Sequence, residues 1–365
     1  MSNAALTMYD LGIDEIVDLI REVGHETTVL AEGHMGTGKS SMLNTLGKAL
    51  PKHRALYFDC TTKDLGDITI PKLKDIDGND YVRFATNEEL GLHLKDQPIV
   101  LMIDEFGKAN PSVRNALLCL IYERKMGSYK LHPDSIVFAT TNLTTEGVGD
   151  SVQAHQWNRV MRIRVRKPSH MEWIEWGINH GIDHGLLGWV KDNPQLFQTF
   201  EEVKNPDENP YIFHPSAQRR SFVTPRSLEA ASKLLNKRAR LSDKVVTAGL
   251  IGTIGERGAS DLMAFVRLAD QLPSLQSIKD SPETAKVPSS ASAVCMVVYR
   301  TLSAIDRDWI DAWMIYLNRL DKEAQGLFAN GVRSPKYSKQ ALVMTNTKFT
   351  AWAMSNNYLF ASDKR

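Results

Sequence analysis

The feature that most constrains the fold is the segment GHMGTGKS at residues 33–40, which has the spacing GxxxxGK(S/T). It follows the apolar run TTVLAE (27–32) and precedes a helical pattern whose apolar residues share one face. Glycines at this spacing let the backbone turn so that its N–H groups line an anion site at the helix N-terminus. The segment therefore predicts a phosphate-binding loop in which Lys39 reaches the outer phosphates and the Ser40 hydroxyl binds Mg²⁺. The predicted cofactor-binding residues are Gly33, Gly36, Thr37, Gly38, Lys39, Ser40 and Ser41.

Two acidic residues, Asp104 and Glu105, stand at the end of the apolar run PIVLMID (98–104). This is about where a Walker B pair follows a phosphate loop. We expect the Asp104 carboxylate to hold the Mg²⁺ shell and the Glu105 carboxylate to orient and deprotonate an attacking water. An acidic pair at a strand end is common in itself, and the phosphate loop gives this pair its significance.

The first half of the chain alternates apolar, strand-like runs with amphipathic helical patterns. Short, nearly continuous apolar runs are typical of strands that are covered on both faces. One helical pattern begins at Asn110-Pro111, an N-cap residue followed by proline in the first turn. This alternation predicts a parallel sheet with flanking helices. The predicted strands lie at residues 27–32, 54–60, 98–104, 135–142 and 159–168.

After Pro168 the patterns are helical, and none of them predicts a strand. The tryptophans of MEWIEWG (171–177) and DRDWIDAW (306–313) recur at helical spacing and are expected in a helical core. We therefore predict an α/β nucleotide-binding domain at residues 1–168 and an all-helical region at residues 169–365.

Charge and cysteine content narrow the range of partners and compartments. The 44 Lys and Arg residues nearly balance the 43 Asp and Glu residues, so the net charge does not favour binding to nucleic acid or to an anionic membrane. Three cysteines without a CxxC pair fit a reducing cytoplasm better than a zinc site or disulfides. The N-terminus has neither a basic region nor an apolar core, so we expect no signal peptide. The longest apolar stretch, near residues 292–299, is too short for a membrane span, and a cytoplasmic location is expected.

Several segments occur in an order that resembles the MoxR-type AAA+ ATPases, with the greatest similarity to the CbbQ, NorQ and GvpN branch. The resemblance covers roughly residues 10–270. It implies an AAA+ core with a five-stranded parallel sheet, then a helical lid and a C-terminal helical region, and it implies Mg²⁺-dependent hydrolysis of ATP. The segments are GHMGTGKS, DLGDITI with DGNDYVRFATNEEL, IVLMIDEFGKANPSVRNALL, FATTN, NRVMRIRVRKP and TPRSLEAAS.

The resemblance also implies roles for further residues. Asn142, which ends FATTN, matches sensor 1, where an amide can hydrogen-bond the attacking water or the terminal phosphate without competing for Mg²⁺. Arg159 matches the arginine finger that a subunit extends into its neighbour's site, although the family usually has aspartate where this chain has Asn158. Arg226 matches sensor 2. Three arginines of the following strand could serve as the finger instead, namely Arg162, Arg164 and Arg166.

A ring assembly, expected to be a homo-hexamer, follows from the resemblance because it places the finger and the phosphate loop on different subunits. Such a ring would remodel or activate a client protein, often one with a von Willebrand factor A domain. The segment ITIPKLKDIDGNDYVRF (68–84) predicts a hairpin that turns at Asp77-Gly78. The family carries a pore-facing hairpin here, which makes Tyr81, Arg83 and Phe84 candidates for client contact.

Two other classes of protein stay open from the sequence. A nucleic-acid-handling AAA+ ATPase of the helicase-loader type shares the core motifs, but the near-neutral charge and the lack of a nucleic-acid module speak against it. A small-molecule P-loop kinase shares the phosphate loop, but such chains are usually shorter and lack the sensor and finger positions. The ten histidines show no metal-binding spacing, so Mg²⁺ is the one metal expected.

Overall fold

The computed structural model describes residues 10–143, 158–269 and 272–360. The chain divides into two compact units, residues 1–167 and 168–365. The segment considered for a signal peptide lies almost wholly in residues 1–9, outside the described residues. The strands of the first unit are β1 (Asp10–Leu11), β2 (Val29–Gly33), β3 (Arg54–Asp59), β4 (Thr69–Ile76), β5 (Asn79–Thr86), β6 (Ile99–Asp104), β7 (Lys125–Met126), β8 (Tyr129–Lys130), β9 (Ile136–Asn142) and β10 (Met161–Val165). Its described helices are α1 (Ile13–Val23), α2 (Ser41–Ala49), α3 (Leu65–Ile68) and α4 (Pro111–Glu123).

The main sheet is parallel throughout and has the strand order β1-β10-β2-β9-β6-β3. The predicted fold class, a P-loop α/β core with a parallel sheet and a helical region after it, is confirmed. The sheet has six strands rather than the five expected, because β1 adds a short edge beside β10. A strand of two residues carries no periodic pattern, which is why the sequence did not reveal it.

Both faces of the sheet are covered by apolar side chains. Along β6, Ile99, Leu101 and Ile103 pack into the core on one face, whereas Val100 and Met102 pack into the core on the other. All of these side chains are fully buried. Covering on both faces explains why the strands read as nearly continuous apolar runs instead of alternating ones.

Three strands end side by side at the carboxyl edge of the sheet. β9 lies between β2 and β6, and the register pairs Gly33 of β2 with Asn142 of β9. β6 ends at Asp104, which pairs with Asp59 of β3. The phosphate loop, Asn142 and the acidic pair therefore share the edge at which open parallel sheets bind ligands.

Helix α4 begins where its sequence signals placed it. The Asn110 side chain accepts a hydrogen bond from the Ser112 N–H, and Pro111 occupies the first turn. The helix ends at Glu123, and the next residue, Arg124, has a left-handed backbone, with φ at 53°. The Arg124 guanidinium donates to the Gly24 carbonyl at 2.9 Å and to the Thr28 hydroxyl at 2.7 Å, which ties the end of α4 to the amino edge of the sheet.

The predicted hairpin is confirmed. β4 and β5 pair in antiparallel register around Asp77 and Gly78, both of which have positive φ, as a two-residue type I′ turn requires. Residues that pair across the two strands share a face, so the hairpin has an apolar face and a basic one. The apolar face carries Pro71, Leu73, Val82 and Phe84, with Asp75 and Asp80 near the turn. The basic face carries Lys72, Lys74, Tyr81 and Arg83, with Ile70 and Ile76 at its two ends.

Within its described residues the second unit contains helices and 3-10 turns but no strand, as predicted. One of the helical patterns after Pro168, QLFQTFEEV (195–203), does not form a helix, because it contains most of one 3-10 turn, Pro194–Phe197, and all of another, Phe200–Glu202. No helix in the described ranges has both the length and the apolar content needed to cross a bilayer. The helices are α5 (His170–Asn179), α6 (His184–Asp192), α7 (Pro225–Leu235), α8 (Asp243–Ala269, kinked at Gly255), α9 (Leu275–Asp280), α10 (Ala291–Ala304), α11 (Ile310–Leu317), α12 (Lys322–Arg333), α13 (Gln340–Met344) and α14 (Thr347–Ser355).

A single large core holds the helical unit together, and most of the predicted tryptophans belong to it. Trp173, Trp309 and Trp313 are buried there, as their helical spacing predicted. Trp176 is the exception, because it is 38% exposed and stacks on the His180 ring at a centroid distance of 4.3 Å.

Candidate nucleotide-binding site

The phosphate loop depends on its glycines for backbone conformation and for space. Gly36 and Gly38 have φ values of 71° and 98°, in the region that L-residues with side chains rarely adopt. At Gly33 a Cβ atom would lie 2.7 Å from the Cβ of Val165, so the close packing of β2 on β10 excludes a side chain there. These constraints give the loop the open backbone of an anion nest.

Lys39 lies across this loop and is only 6% exposed. Its Nζ donates to the Gly33 carbonyl at 2.7 Å and to the His34 carbonyl at 2.8 Å. It also donates to the Asn142 Oδ1 at 2.8 Å, which links the loop to the neighbouring strand β9. A buried ammonium held in this way stands ready for an anionic ligand, because phosphate oxygens can replace neutral acceptors.

Asp104 is surrounded by donors from strands β3 and β9, from the following residue and from the phosphate loop. Its Oδ1 accepts from the Glu105 N–H at 3.0 Å and from the Thr140 hydroxyl. Its Oδ2 accepts from the Tyr57 hydroxyl at 3.0 Å and lies 3.4 Å from the Ser40 Oγ. The two predicted metal ligands, Ser40 and Asp104, are therefore adjacent.

Glu105 has the left-handed backbone conformation, with φ at 53°. This conformation is unfavourable by about 1–2 kcal/mol for an L-residue, and such residues are concentrated at functional sites. The Asn142 Nδ2 donates to Glu105 Oε1 at 3.2 Å, and the Lys108 Nζ lies 3.0 Å from Oε2. Lys39, Asn142 and Glu105 thus form one hydrogen-bonded chain across the edge of the sheet.

The side chains at this edge fit Mg²⁺. A serine hydroxyl and a carboxylate are hard oxygen ligands, and Mg²⁺ commonly uses one or two such groups together with substrate phosphates and water. The described residues hold no cluster of three or more His, Cys, Asp or Glu side chains that could cage a metal by themselves. Ser40 and Asp104, the two predicted metal ligands, would hold the ion.

Two side chains beside the site, Cys60 and Tyr57, have raised pKa values because of burial and of nearby carboxylates. Burial and the nearby Asp59, Asp104 and Glu105 carboxylates raise the pKa of the Cys60 thiol to about 12. Burial also raises the pKa of Tyr57 above its ordinary value, and the same three carboxylates, Asp104 first, raise it further. Both groups stay protonated near neutral pH, and a divalent cation bound here would relieve the repulsion between the carboxylates.

Comparison with known proteins gives likenesses of structure alone. No family model matches the sequence, and no curated protein matches it. A single-residue variant of RuvB from Thermotoga maritima is similar with 14% identity and a TM-score of 0.36, covering 82% of this chain and 85% of that one. A candidate ATPase from Cytophaga hutchinsonii is similar with 14% identity and a TM-score of 0.33, covering 96% of this chain and 89% of that one. The function proposed below therefore rests on the geometry of the site.

The structure brings the predicted site residues of the first unit together, with the exception of Arg159. Thr37 donates its hydroxyl to the His34 carbonyl at 2.9 Å within the loop, and Ser41 donates to the Gly38 carbonyl at 2.7 Å. Arg226 is the second residue of α7, after the N-cap Thr224, and belongs to the other unit.

Arg159 lies at the opposite, amino edge of the sheet from the phosphate loop. Met161 begins β10 and pairs with Val29 at the start of β2, so Arg159 precedes both strands. Its guanidinium lies over the Tyr122 ring near the end of α4, at 5.7 Å from the centroid. The two edges are joined by β2, in which the four steps from Val29 to Gly33 span about 13 Å at 3.3 Å per residue.

Three residues of the site were missed from the sequence, namely Tyr57, Thr140 and Lys108. Thr140 stands two residues before Asn142, and strand alternation puts both side chains on one face, which was a usable signal. Lys108 follows Glu105 by three residues, a spacing that places side chains close together in a helical turn. Tyr57 gave no signal, because β3 contains no motif and its contact with Asp104 depends on the sheet order.

Proposed function

We propose that the protein is a Mg²⁺-dependent ATPase of the MoxR type of AAA+ proteins. The observation that carries this proposal is the continuous set of contacts from Lys39 through Asn142 to Glu105, with Asp104 beside Ser40. A phosphate-binding nest, two ligands for one Mg²⁺ and a general base would lie at one edge of the sheet, and hydrolysis of a nucleoside triphosphate needs all three.

The phosphate loop and Lys39 would bind the nucleotide. The backbone N–H groups at the start of α2 and the Lys39 ammonium would bind the β- and γ-phosphates, with Lys39 exchanging the Gly33 and His34 carbonyls for phosphate oxygens. When bound, Mg²⁺ neutralises negative charge on the phosphate oxygens. Ser40 and Asp104 are placed to orient it.

Glu105 and Asn142 would act in the hydrolysis step. The water oxygen forms a bond to the γ-phosphorus while the bond to the bridging oxygen breaks, and that oxygen leaves with ADP. The proton of the water passes to the Glu105 carboxylate, which Asn142 orients from 3.2 Å. The Lys108 Nζ lies 3.0 Å from the other oxygen of this carboxylate, Oε2.

The position of Arg159 favours action on a neighbouring subunit. It projects from the amino edge of the sheet, whereas its own phosphate loop lies at the carboxyl edge. Two of the three alternative arginines already bind acids of their own unit, and the third, Arg166, donates to the Lys167 carbonyl at 3.4 Å. Arg162 donates to the buried Glu32 at 2.6 Å, and Arg164 lies 3.8 Å from Asp10. Arg159 is therefore the finger in this proposal, and Arg226 is the sensor 2 residue.

The assembly would be a homo-hexameric ring in the cytoplasm that remodels or activates a client protein, such as one with a von Willebrand factor A domain. The hairpin supports a client-binding role because its apolar face is solvent-exposed. Leu73 is 75% exposed and Val82 is 57% exposed. Arg83 lies 4.9 Å from the Tyr129 ring centroid, which makes Phe84 a better candidate for client contact than Arg83.

Replacement of Lys39 by alanine tests nucleotide binding. We expect the dissociation constant for ATP to rise about 100-fold or more, because two charge-assisted hydrogen bonds are worth at least about 1.5 kcal/mol each. Equilibrium binding of a fluorescent ATP analogue would measure this. Lys48→Ala is the matched control, since Lys48 is exposed on α2. Similar affinities for the two variants would contradict the site, and the absence of ATP hydrolysis by the parent protein under all conditions would contradict the function.

A further inference from the structure

Tyr57 reaches the predicted metal ligand from a strand to which no role has been given. It lies on β3, two residues before Asp59, and pairs in register with Met102 of β6. Its hydroxyl nevertheless meets Asp104 Oδ2 at 3.0 Å, which requires the ring to lie along the strand toward the carboxyl edge. The side chain stays 47% exposed, so burial in the core does not account for its position.

The hydrogen bond has a defined direction. The Asp104 carboxylate, when charged, can only accept hydrogen bonds, so the Tyr57 hydroxyl must donate. A donor that serves a charged acceptor forms a stronger and shorter bond than a neutral pair does. Tyr57 therefore acts on the orientation and charge of one particular oxygen.

The two oxygens of Asp104 have different surroundings. Oδ1 is engaged by the protein, through the Thr140 hydroxyl and the Glu105 N–H. Oδ2 lies on the side of Ser40 and receives its second contact from Tyr57. Oδ2 is thus the oxygen available to the ion, and Tyr57 is the group that fixes it from the edge of the sheet.

We propose that Tyr57 is a positioning residue for Mg²⁺, holding Asp104 in the rotamer that directs Oδ2 at the position the ion shares with Ser40. This inference rests on the proposed function. It assigns Tyr57 no contact with the reacting atoms. Preorganised ligands bind a metal more tightly because less side-chain freedom is lost on binding, so the effect should appear in metal affinity and not in metal-free nucleotide binding.

The test is Tyr57→Phe, which removes the hydroxyl and keeps the ring. Parent and variant are stripped of metal with EDTA, freed of the chelator by gel filtration and loaded with one equivalent of a non-hydrolysable ATP analogue. Bound metal is then followed with Mn²⁺ by electron paramagnetic resonance and with Mg²⁺ by calorimetry. We expect the concentration for half-saturation with metal to rise about 10-fold, the size typical of a hydrogen bond to a charged group. Metal-free affinity for the analogue should stay within about twofold of the parent.

Two comparisons make the result decisive. Tyr358→Phe removes an exposed hydroxyl from the other unit and should leave metal affinity unchanged. Equal metal affinity in the parent and in Tyr57→Phe would overturn the inference and leave the proposed function standing. Equal weakening of analogue binding with and without metal would also overturn it, because that pattern indicates a structural role. If the parent protein binds the analogue with no metal dependence, the proposed function itself fails.

Discussion

Glu105→Gln should lower the rate of ATP hydrolysis by about 10²–10⁴-fold, the range typical for loss of a general base. Glutamine keeps the shape of the side chain and can still accept a hydrogen bond from Asn142, but it cannot take the proton of the attacking water. Affinity for ATP should change little, because Lys39 and Asp104 are untouched and the phosphate nest is formed by backbone groups. Steady-state phosphate release and equilibrium nucleotide binding, measured on the same preparation, separate the two effects.

Glu22→Gln is a matched control for this substitution. Glu22 lies on α1, and its side chain is 70% exposed, so the same chemical change there should leave hydrolysis at the parent rate. The role assigned to Glu105 is wrong if Glu105→Gln loses nucleotide binding in proportion to turnover. It is also wrong if the variant hydrolyses ATP as fast as the parent.

The structure also suggests how the site is restrained before it acts. Both Glu105 oxygens are engaged, one by Asn142 and the other by Lys108, while Asn142 also receives Lys39. A γ-phosphate that binds Lys39 would therefore act on a side chain that also contacts Asn142, the amide that orients Glu105. In the proposed mechanism nucleotide binding and alignment of the base would be linked through Asn142, because β9 lies between β2 and β6.

The sequence predicted those features that a local residue pattern is enough to identify, such as a buried strand or a glycine-rich loop. The strand runs were recognisable because both faces of β2, β6 and β9 are buried, and the glycines of the loop were recognisable because their conformations admit few other residues. Asp104 could be assigned because it ends an apolar run in a chain that carries a phosphate loop, and Asn142 was assigned through the family resemblance. Both lie at the edge where the carboxyl ends of parallel strands meet.

What the sequence did not predict depends on long-range packing or on elements too short to carry a period. The two residues of β1 are held by their pairing with β10, and the chain near 195–203 forms 3-10 turns because its fold is set by the helices that pack around it. The contact between Tyr57 and Asp104 joins strands whose adjacency follows from topology alone. No spacing along the chain encodes it.

Arg159→Ala should bind ATP normally and yet hydrolyse it about 10³–10⁵-fold more slowly, because a guanidinium supplied by the neighbour would stabilise charge on the transferred phosphoryl group. Lys39→Ala should be inactive for a different reason, since it lacks the phosphate-binding half of the same composite site. The two variants carry complementary defects if the finger acts between subunits. Mixing them before the ring assembles should then restore measurable hydrolysis.

The extent of recovery can be estimated from the assembly. In a ring built by head-to-tail contacts from equal amounts of the two variants, about a quarter of the interfaces join an intact phosphate loop to an intact finger. Hydrolysis should therefore rise to at most about a quarter of the parent rate per subunit. Mixing Lys39→Ala with Glu105→Gln is the control, because both defects lie in the same half of the site and no interface regains function. If native mass measurement shows rings that contain both Arg159→Ala and Lys39→Ala subunits and these rings stay inactive, the finger does not act in trans, and the geometric reason for assigning Arg159 to the neighbour's site is wrong.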